Sequence, residues 1–316
     1  MATQNDKEKQ NNNEKQNNKK KSSDESVKKK IIFINSFKGG TGKTTFSFSK
    51  CIDALFRTKE YENVFYLDLD ILGTATSYLF AEGTLPSEDS FNKTGQPKGI
   101  VLKSGRIRGT LYVAYLSPNM KNKSQYGELY FLNHQKLAEE LFVKRVEGFI
   151  EEQMTKEVSS LIVIDCAPGF GETEQRILEY CYSKASKTGV ELEEMYLVTL
   201  DSAHVKKCIQ CLEDNNKTTR LKERSVCIVL NDIQNYWDYL KEKGEDPSQV
   251  LSDIMQQIQK KTFNLNMAFR LWRYSQSIAM NSVYTMKTSI ENHVNDYLFT
   301  KANYIEWKAG RGFNDN

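Results

Sequence analysis

The sequence predicts an α/β domain with a doubly wound, mostly parallel sheet flanked by helices, and three observations predict it. Short continuous apolar runs recur along the chain, they alternate with stretches of helical periodicity, and a glycine-rich turn follows the first run. A run that is apolar at every position suits a strand buried on both faces, as in a parallel sheet covered by helices. Alternation with helices fits the crossover that parallel neighbours require.

The first run is Ile31-Ile32-Phe33-Ile34, and further runs are Val64 to Leu69, Leu111 to Leu116, Leu161 to Ile164, Met195 to Leu200 and Val226 to Leu230. The clearest helix lies between the third and fourth. It sets Leu137, Leu141, Phe142, Val146, Phe149, Ile150 and Met154 along one face, with Asn133 as its N-cap. Residues 81–110 break the pattern with Gly83, Pro86, Gly95, Pro97, Gly99, Gly105 and Gly109. They read as a loop insertion of the kind that faces a ligand or partner. Residues 232–316 read as a mainly helical C-terminal part whose closing helices use Tyr236, Trp237, Phe269, Trp272, Tyr304 and other aromatics for packing.

A chain of 316 residues has room for one such domain over residues 31–316 with a tail ahead of it. Residues 1–30 are rich in Asn, Gln, Lys, Glu and Ser and cannot bury enough surface to offset their ordering entropy, so they read as a disordered tail. Nine lysines against five acids make that tail +4, and the whole chain is only +3, which leaves the rest near −1. The folded part is therefore not a strongly basic nucleic-acid binder overall. No apolar run approaches the ~20 residues that span a bilayer, and the first residues lack the apolar core of a secretory signal. The six cysteines are scattered rather than framed in pairs. A cytoplasmic protein with reduced thiols and no stable membrane insertion is the expectation.

The turn after the first run reads Lys38-Gly39-Gly40-Thr41-Gly42-Lys43-Thr44-Thr45. Glycines let consecutive backbone N–H groups point inward at anionic oxygens. The helix starting near Thr44 adds its positive end. Lys43 supplies a charge for the β- and γ-phosphates of a nucleotide, and the Thr44 hydroxyl can ligate Mg²⁺. The general pattern wants glycine at position 37, where Phe37 stands, and Lys38 directly precedes the glycines. This arrangement resembles the deviant P-loop of the ParA/MinD family of ATPases. The resemblance implies ATP as the nucleotide, and a Lys38 that crosses a two-fold interface to the phosphates held by a partner subunit. An ATP-dependent homodimer is thereby expected.

Two acidic stretches follow in the order the same family uses. Asp68-Leu69-Asp70-Ile71-Leu72-Gly73-Thr74-Ala75-Thr76-Ser77 is similar to the family's Asp-x-Asp-Pro-Gln-Gly-Asn-Ala-Thr-Ser, with Ile71 and Leu72 in place of Pro and Gln. By resemblance Asp70 sits beside the γ-phosphate and helps orient the attacking water; a capping Asp at a helix start is the other reading. The apolar run ending in Asp165, followed by Cys166-Ala167-Pro168-Gly169, has the Walker B arrangement, in which Asp165 holds Mg²⁺ directly or through water. The resemblance makes Asn231 a contact for adenine, and a plain turn residue is the equal alternative. It covers roughly residues 31–231.

What the ATPase serves is read more coarsely. The family's use in partitioning implies a protein activator or cargo, and nonspecific DNA as a possible track. Residues 260–316 carry eight Lys or Arg against four acids, a candidate phosphate-backbone footprint or simply a solvated face. A nucleotide-gated interaction subunit with little turnover and a small-molecule kinase are the rival readings. His204, Cys208 and Cys211 share one helical face, as thiols packed at an interface or as part of a metal site.

Overall fold

The computed structural model describes residues 27–70, 99–100, 109–115, 135–218, 224–231, 233–262, 265–272, 295, 297–300 and 304–307. In chain order these form β1 (Lys29–Ser36), α1 (Lys43–Asp53), β2 (Asn63–Asp68), β3 (Gly99–Ile100), β4 (Thr110–Tyr115), α2 (Gln135–Thr155), β5 (Ser160–Asp165) and α3 (Glu172–Thr188). There follow β6 (Glu191–Thr199), α4 (Ser202–Thr218), β7 (Ser225–Asn231), α5 (Ile233–Glu242), α6 (Pro247–Lys261), β8 (Asn266–Trp272) and β9 (Tyr304–Trp307). A π-helical stretch, Ala54–Thr58, continues α1.

The described strands make one sheet in the order β3-β4-β2-β5-β1-β6-β7-β8-β9. All neighbours are parallel except the two edges, β3 on β4 and β9 on β8. Both faces are buried, which is why the central strands read as unbroken apolar runs. Ile32 and Ile34 of β1 pack on one face with Phe46, Phe48 and Ile52 of α1. Ile31 and Phe33 point the other way, onto α2 and α3. Further along that second face, Tyr196 and Val198 of β6 pack with Val205, Cys208 and Leu212 of α4 and with Leu251 and Met255 of α6.

The helix ends follow local chemistry. Asp246 caps α6 by accepting the Ser248 N–H at 2.9 Å, with Pro247 in the first position. Gly189 ends α3 at φ 69°, a left-handed conformation that glycine adopts without strain.

Lys29 and Lys30, read as the end of the tail, open β1, where they pair with Ser160 and Leu161 of β5. The structure differs from the sequence reading in three further places. First, β6 begins at Glu191, not at Met195. Second, the stretch 81–110 contributes Gly99–Ile100 as an edge strand and, with Thr110, the start of β4. Third, the part beyond Asn231 is not only helical: after α5 and α6 it adds β8 and β9 to the sheet. In β8, Phe269 and Leu271 face α4 and α6 while Ala268 and Trp272 face α1, a period of two that the aromatic content masks. Tyr297 and Phe299 pack on α1 with Phe48 and Phe46, and Phe299 donates its N–H to Asp53 Oδ1 at 3.2 Å. Asn133, Leu116, Ile71 to Ser77, the tail to residue 26, Tyr274 and the basic residues Arg273, Lys287, Lys301, Lys308 and Arg311 lie outside the described residues. No helix among the described residues is long and apolar enough to cross a membrane.

Candidate functional site

Because seven consecutive strands of the sheet run parallel, their C-terminal ends share one edge. Ser36, Asp68, Asp165, Thr199, Asn231 and Trp272 all finish there. The chain leaves β1 for β2 on one side and later returns to β6 on the other side of β1. The loop after β1 therefore lies where the winding reverses, the position at which open α/β sheets bind ligands.

This loop has backbone features that suit an anion. Gly40 and Gly42 hold φ 73° and 78°, left-handed conformations that a side chain disfavours. Gly42 is the N-cap of α1, makes no side-chain cap bond, and no acidic residue stands in the first turn. The first N–H groups of α1 thus point to the loop without a side-chain acceptor at the cap. The Thr41 hydroxyl is buried with no hydrogen-bond partner among the described residues. Phe37, the residue that departs from the general pattern, is buried and stacks on Tyr196 with centroids 5.1 Å apart and planes 8° from parallel. It anchors the loop to β6.

Lys43 points inward. It is 5% exposed, and its Nζ lies 2.8 Å from Oδ1 of Asp165, which is 1% exposed. Ser47 Oγ donates to the same oxygen at 3.3 Å, and the Tyr66 hydroxyl donates to Oδ2 at 2.5 Å. Burial works against the Lys43 ammonium, but the Asp165 carboxylate outweighs it and holds the lysine above its ordinary pKa. Asp68 is Asp165's partner in the β2–β5 register, is itself buried, and accepts the Asp70 N–H at 3.0 Å. Asp70 is half-buried and near enough for its charge to act on Lys43. A hydroxyl in the first turn of α1 and carboxylates at two strand ends are hard oxygen donors, a set that fits Mg²⁺.

Lys38 points outward. Its side chain is 57% exposed and its Nζ lies 3.0 Å from Asp201 Oδ2. Asp201 precedes α4 and also accepts the Ala203 N–H at 2.9 Å, so one carboxylate caps the helix and holds Lys38. Asn231 donates its amide to the Thr41 carbonyl at 2.6 Å. A Cβ on Gly42 would stand 2.7 Å from that amide nitrogen, and 3.7 Å from Trp272. The loop after Asp165 is tied to the same place, since Gly169 N–H donates to the Ser36 carbonyl at 2.7 Å.

The structure thus gathers Lys38, Gly39, Gly40, Thr41, Gly42, Lys43, Thr44, Thr45, Asp70, Asp165 and Asn231 at one edge. Sequence reasoning missed Ser47, Tyr66 and Asp201. The signal for Asp201 was present, an acid between the end of a strand and a helical run, which is where an N-cap belongs. His204 is buried, and its Nδ1 accepts the Thr199 N–H at 3.0 Å. Cys208 and Cys211 pack in the core beneath α4, and burial pushes both thiols up from their ordinary pKa. Among the described residues no group of three His, Cys, Asp or Glu is arranged to hold a metal ion.

No protein-family model matches the chain. No curated protein matches it either. Solved structures that resemble it include the MinD cell division protein of Aquifex aeolicus, at 13% identity and TM-score 0.49 over 85% of this chain and 92% of that one. A variant of McdA from Cyanothece in complex with ATP follows at 12% identity and TM-score 0.48, over 86% and 94%. A putative plasmid partition protein of Borrelia burgdorferi bound to AMPPNP is similar at 14% and 0.44, over 79% and 89%.

Proposed function

We propose that this chain is a ParA/MinD-like ATPase: it binds and hydrolyses Mg-ATP on the loop 38–45 and uses bound ATP to close two copies face to face. The observation that carries the proposal is the opposite setting of two lysines in one loop. Lys43 is buried against a strand-end carboxylate, and Lys38 stands at the surface five residues earlier. A buried lysine serves the phosphates of its own chain, and an exposed one is free to serve those of a twin.

In this reading the N–H groups of the loop and of the first turn of α1 hold the phosphates. Lys43 exchanges Asp165 for the β- and γ-oxygens. Thr44 and Asp165 would hold Mg²⁺, which would neutralise charge on the triphosphate when bound. Asp70 places the attacking water, and Asn231, which braces Thr41, contacts the adenine. Lys38 leaves Asp201 for the partner's phosphates. Catalysis then rests on positioning and charge, with slow turnover that a protein partner stimulates. Partitioning or positioning of DNA or protein cargo is the role the family resemblance suggests. Ile71 and Leu72 keep a second reading, a nucleotide-gated interaction subunit with little turnover.

Light scattering on a sizing column tests the switch. Mass should double with Mg-ATP and stay single without nucleotide. Lys38→Ala should bind ATP and remain single; normal dimerisation of this variant refutes the sandwich. Asp70→Ala should dimerise without hydrolysing. Asp201→Asn keeps an oxygen to cap α4 but releases Lys38, so it should dimerise at about two- to fivefold lower ATP. Turnover assayed with and without duplex DNA separates the ATPase from the gated subunit.

A further inference from the structure

Away from the nucleotide edge, α4 and α6 pack side by side and leave between them a groove of about 400 Å³. From α4 it takes Lys206, Ile209, Gln210 and Glu213, at i, i+3, i+4 and i+7, a single stripe of that helix. From α6 it takes Gln257, Lys260 and Lys261, again one face. Ile209 is half-buried and packs on the core beneath, while the three lysines and both glutamines are exposed around it.

The charge is unbalanced. Three lysines meet one glutamate, and none of the three lysines forms an ion pair among the described residues. Lys260 and Lys261 stand in the last turn of α6, where a cation complements the carbonyl end of a helix. Lys206, in the second turn of α4, has no such reason. Its side chain meets the other two only across the groove.

We propose that this groove docks an acidic linear segment of a partner protein, with Asp or Glu on both sides of one apolar side chain. Ile209 is the floor for the apolar residue. The glutamine amides, one on each wall, satisfy the main chain of an extended segment, and the lysines take the flanking carboxylates. A DNA duplex fits the same lysines less well. Its backbone offers nothing to a concave apolar floor, and Glu213 faces it with the wrong sign. The chain's own first 30 residues are excluded as occupant by charge, since they carry nine lysines against five acids. α4 starts beside Asp201, the partner of Lys38, so an occupant of this groove bears on the helix that holds that lysine. Docking in this groove needs no nucleotide and is independent of the ATPase reading.

Fluorescence anisotropy of a labelled Glu/Asp peptide with one central leucine, titrated with the full chain at low salt, tests it. Binding is expected. It should weaken by about tenfold or more in a Lys206→Glu/Lys260→Glu variant, and also when the peptide's leucine becomes glycine. Lys144→Glu, on the exposed side of α2, should leave it unchanged. All the substituted lysines are exposed, and equal thermal midpoints confirm that the variants fold. No binding of the peptide overturns the proposal, as does binding indifferent to the double reversal. A labelled DNA duplex that binds through Lys206 and Lys260 where the peptide does not overturns it too.

Discussion

Lys43 and Asp165 form a buried ion pair, and this makes the standard mutant of such a loop hard to interpret. Removing one partner of a buried pair costs about 3–5 kcal/mol, because it strands the other charge in a poor solvent. Lys43→Ala would lose nucleotide binding whether the loop holds phosphate or the fold merely fails. A paired substitution separates the two causes. Lys43→Met should lower the unfolding free energy by about 3 kcal/mol or more, with Asp165 left to Ser47 and Tyr66. Lys43→Met/Asp165→Asn should recover most of that loss, since an amide is cheaper to bury than a carboxylate. Neither protein should bind Mg-ATP by calorimetry. If the stable double variant binds it normally, the loop is not the phosphate site.

At the scale of elements, the apolar strands and the glycine turn were legible in the sequence, and the strands that carry charge were not. Ile31 to Ile34 and Leu161 to Ile164 announce themselves because both faces are buried. The start of β6 is hidden by Glu191, Glu193 and Glu194, which break the apolar run. Each is matched by a residue far along the chain. Lys30 pairs with Glu191 at 2.6 Å and with Glu193 at 3.1 Å. Arg224 pairs with Glu194, both fully buried, and Tyr182 and Tyr196 donate to the same carboxylate at 2.7 and 2.6 Å. Satisfaction at that distance cannot be seen from periodicity. The pairing of Asp201 with Lys38 and the Phe37 stack were hidden in the same way, whereas Lys43 and Asp165 were found because a motif fixes them. Glu194→Gln should therefore destabilise the fold by about 3–5 kcal/mol, a large effect for a residue inside an acidic run. Urea unfolding measures it, and a loss below about 1 kcal/mol would mean that the Arg224 pair contributes little.

For the whole molecule, the parallel sheet collects the chemistry at one edge, and a buried histidine there makes stability depend on acidity. His204 sits in the first turn of α4, next to Asp201 and within reach of the Lys38 charge. Nδ1 accepts the Thr199 N–H, so the proton of the neutral ring lies on Nε2, which is buried with no partner among the described residues. Burial, and then the charge of Lys38, push the ring's pKa down from 6.5 to about 4, against a smaller opposing pull from Asp201. Above about pH 6.5 the ring is neutral whether the chain is folded or not, and it makes stability no more sensitive to pH. Below that value the unfolded chain takes up a proton that the folded chain refuses, so stability is lost as pH falls from about 6.5 toward about 4. His204→Asn keeps an acceptor for the Thr199 N–H and cannot titrate. Its thermal midpoint should fall less steeply than the parent's between pH 6.5 and 4.5, and the two should run parallel above pH 7. Identical slopes throughout would mean that the folded protein accommodates the imidazolium, and that the charge of Lys38 does not reach the start of α4.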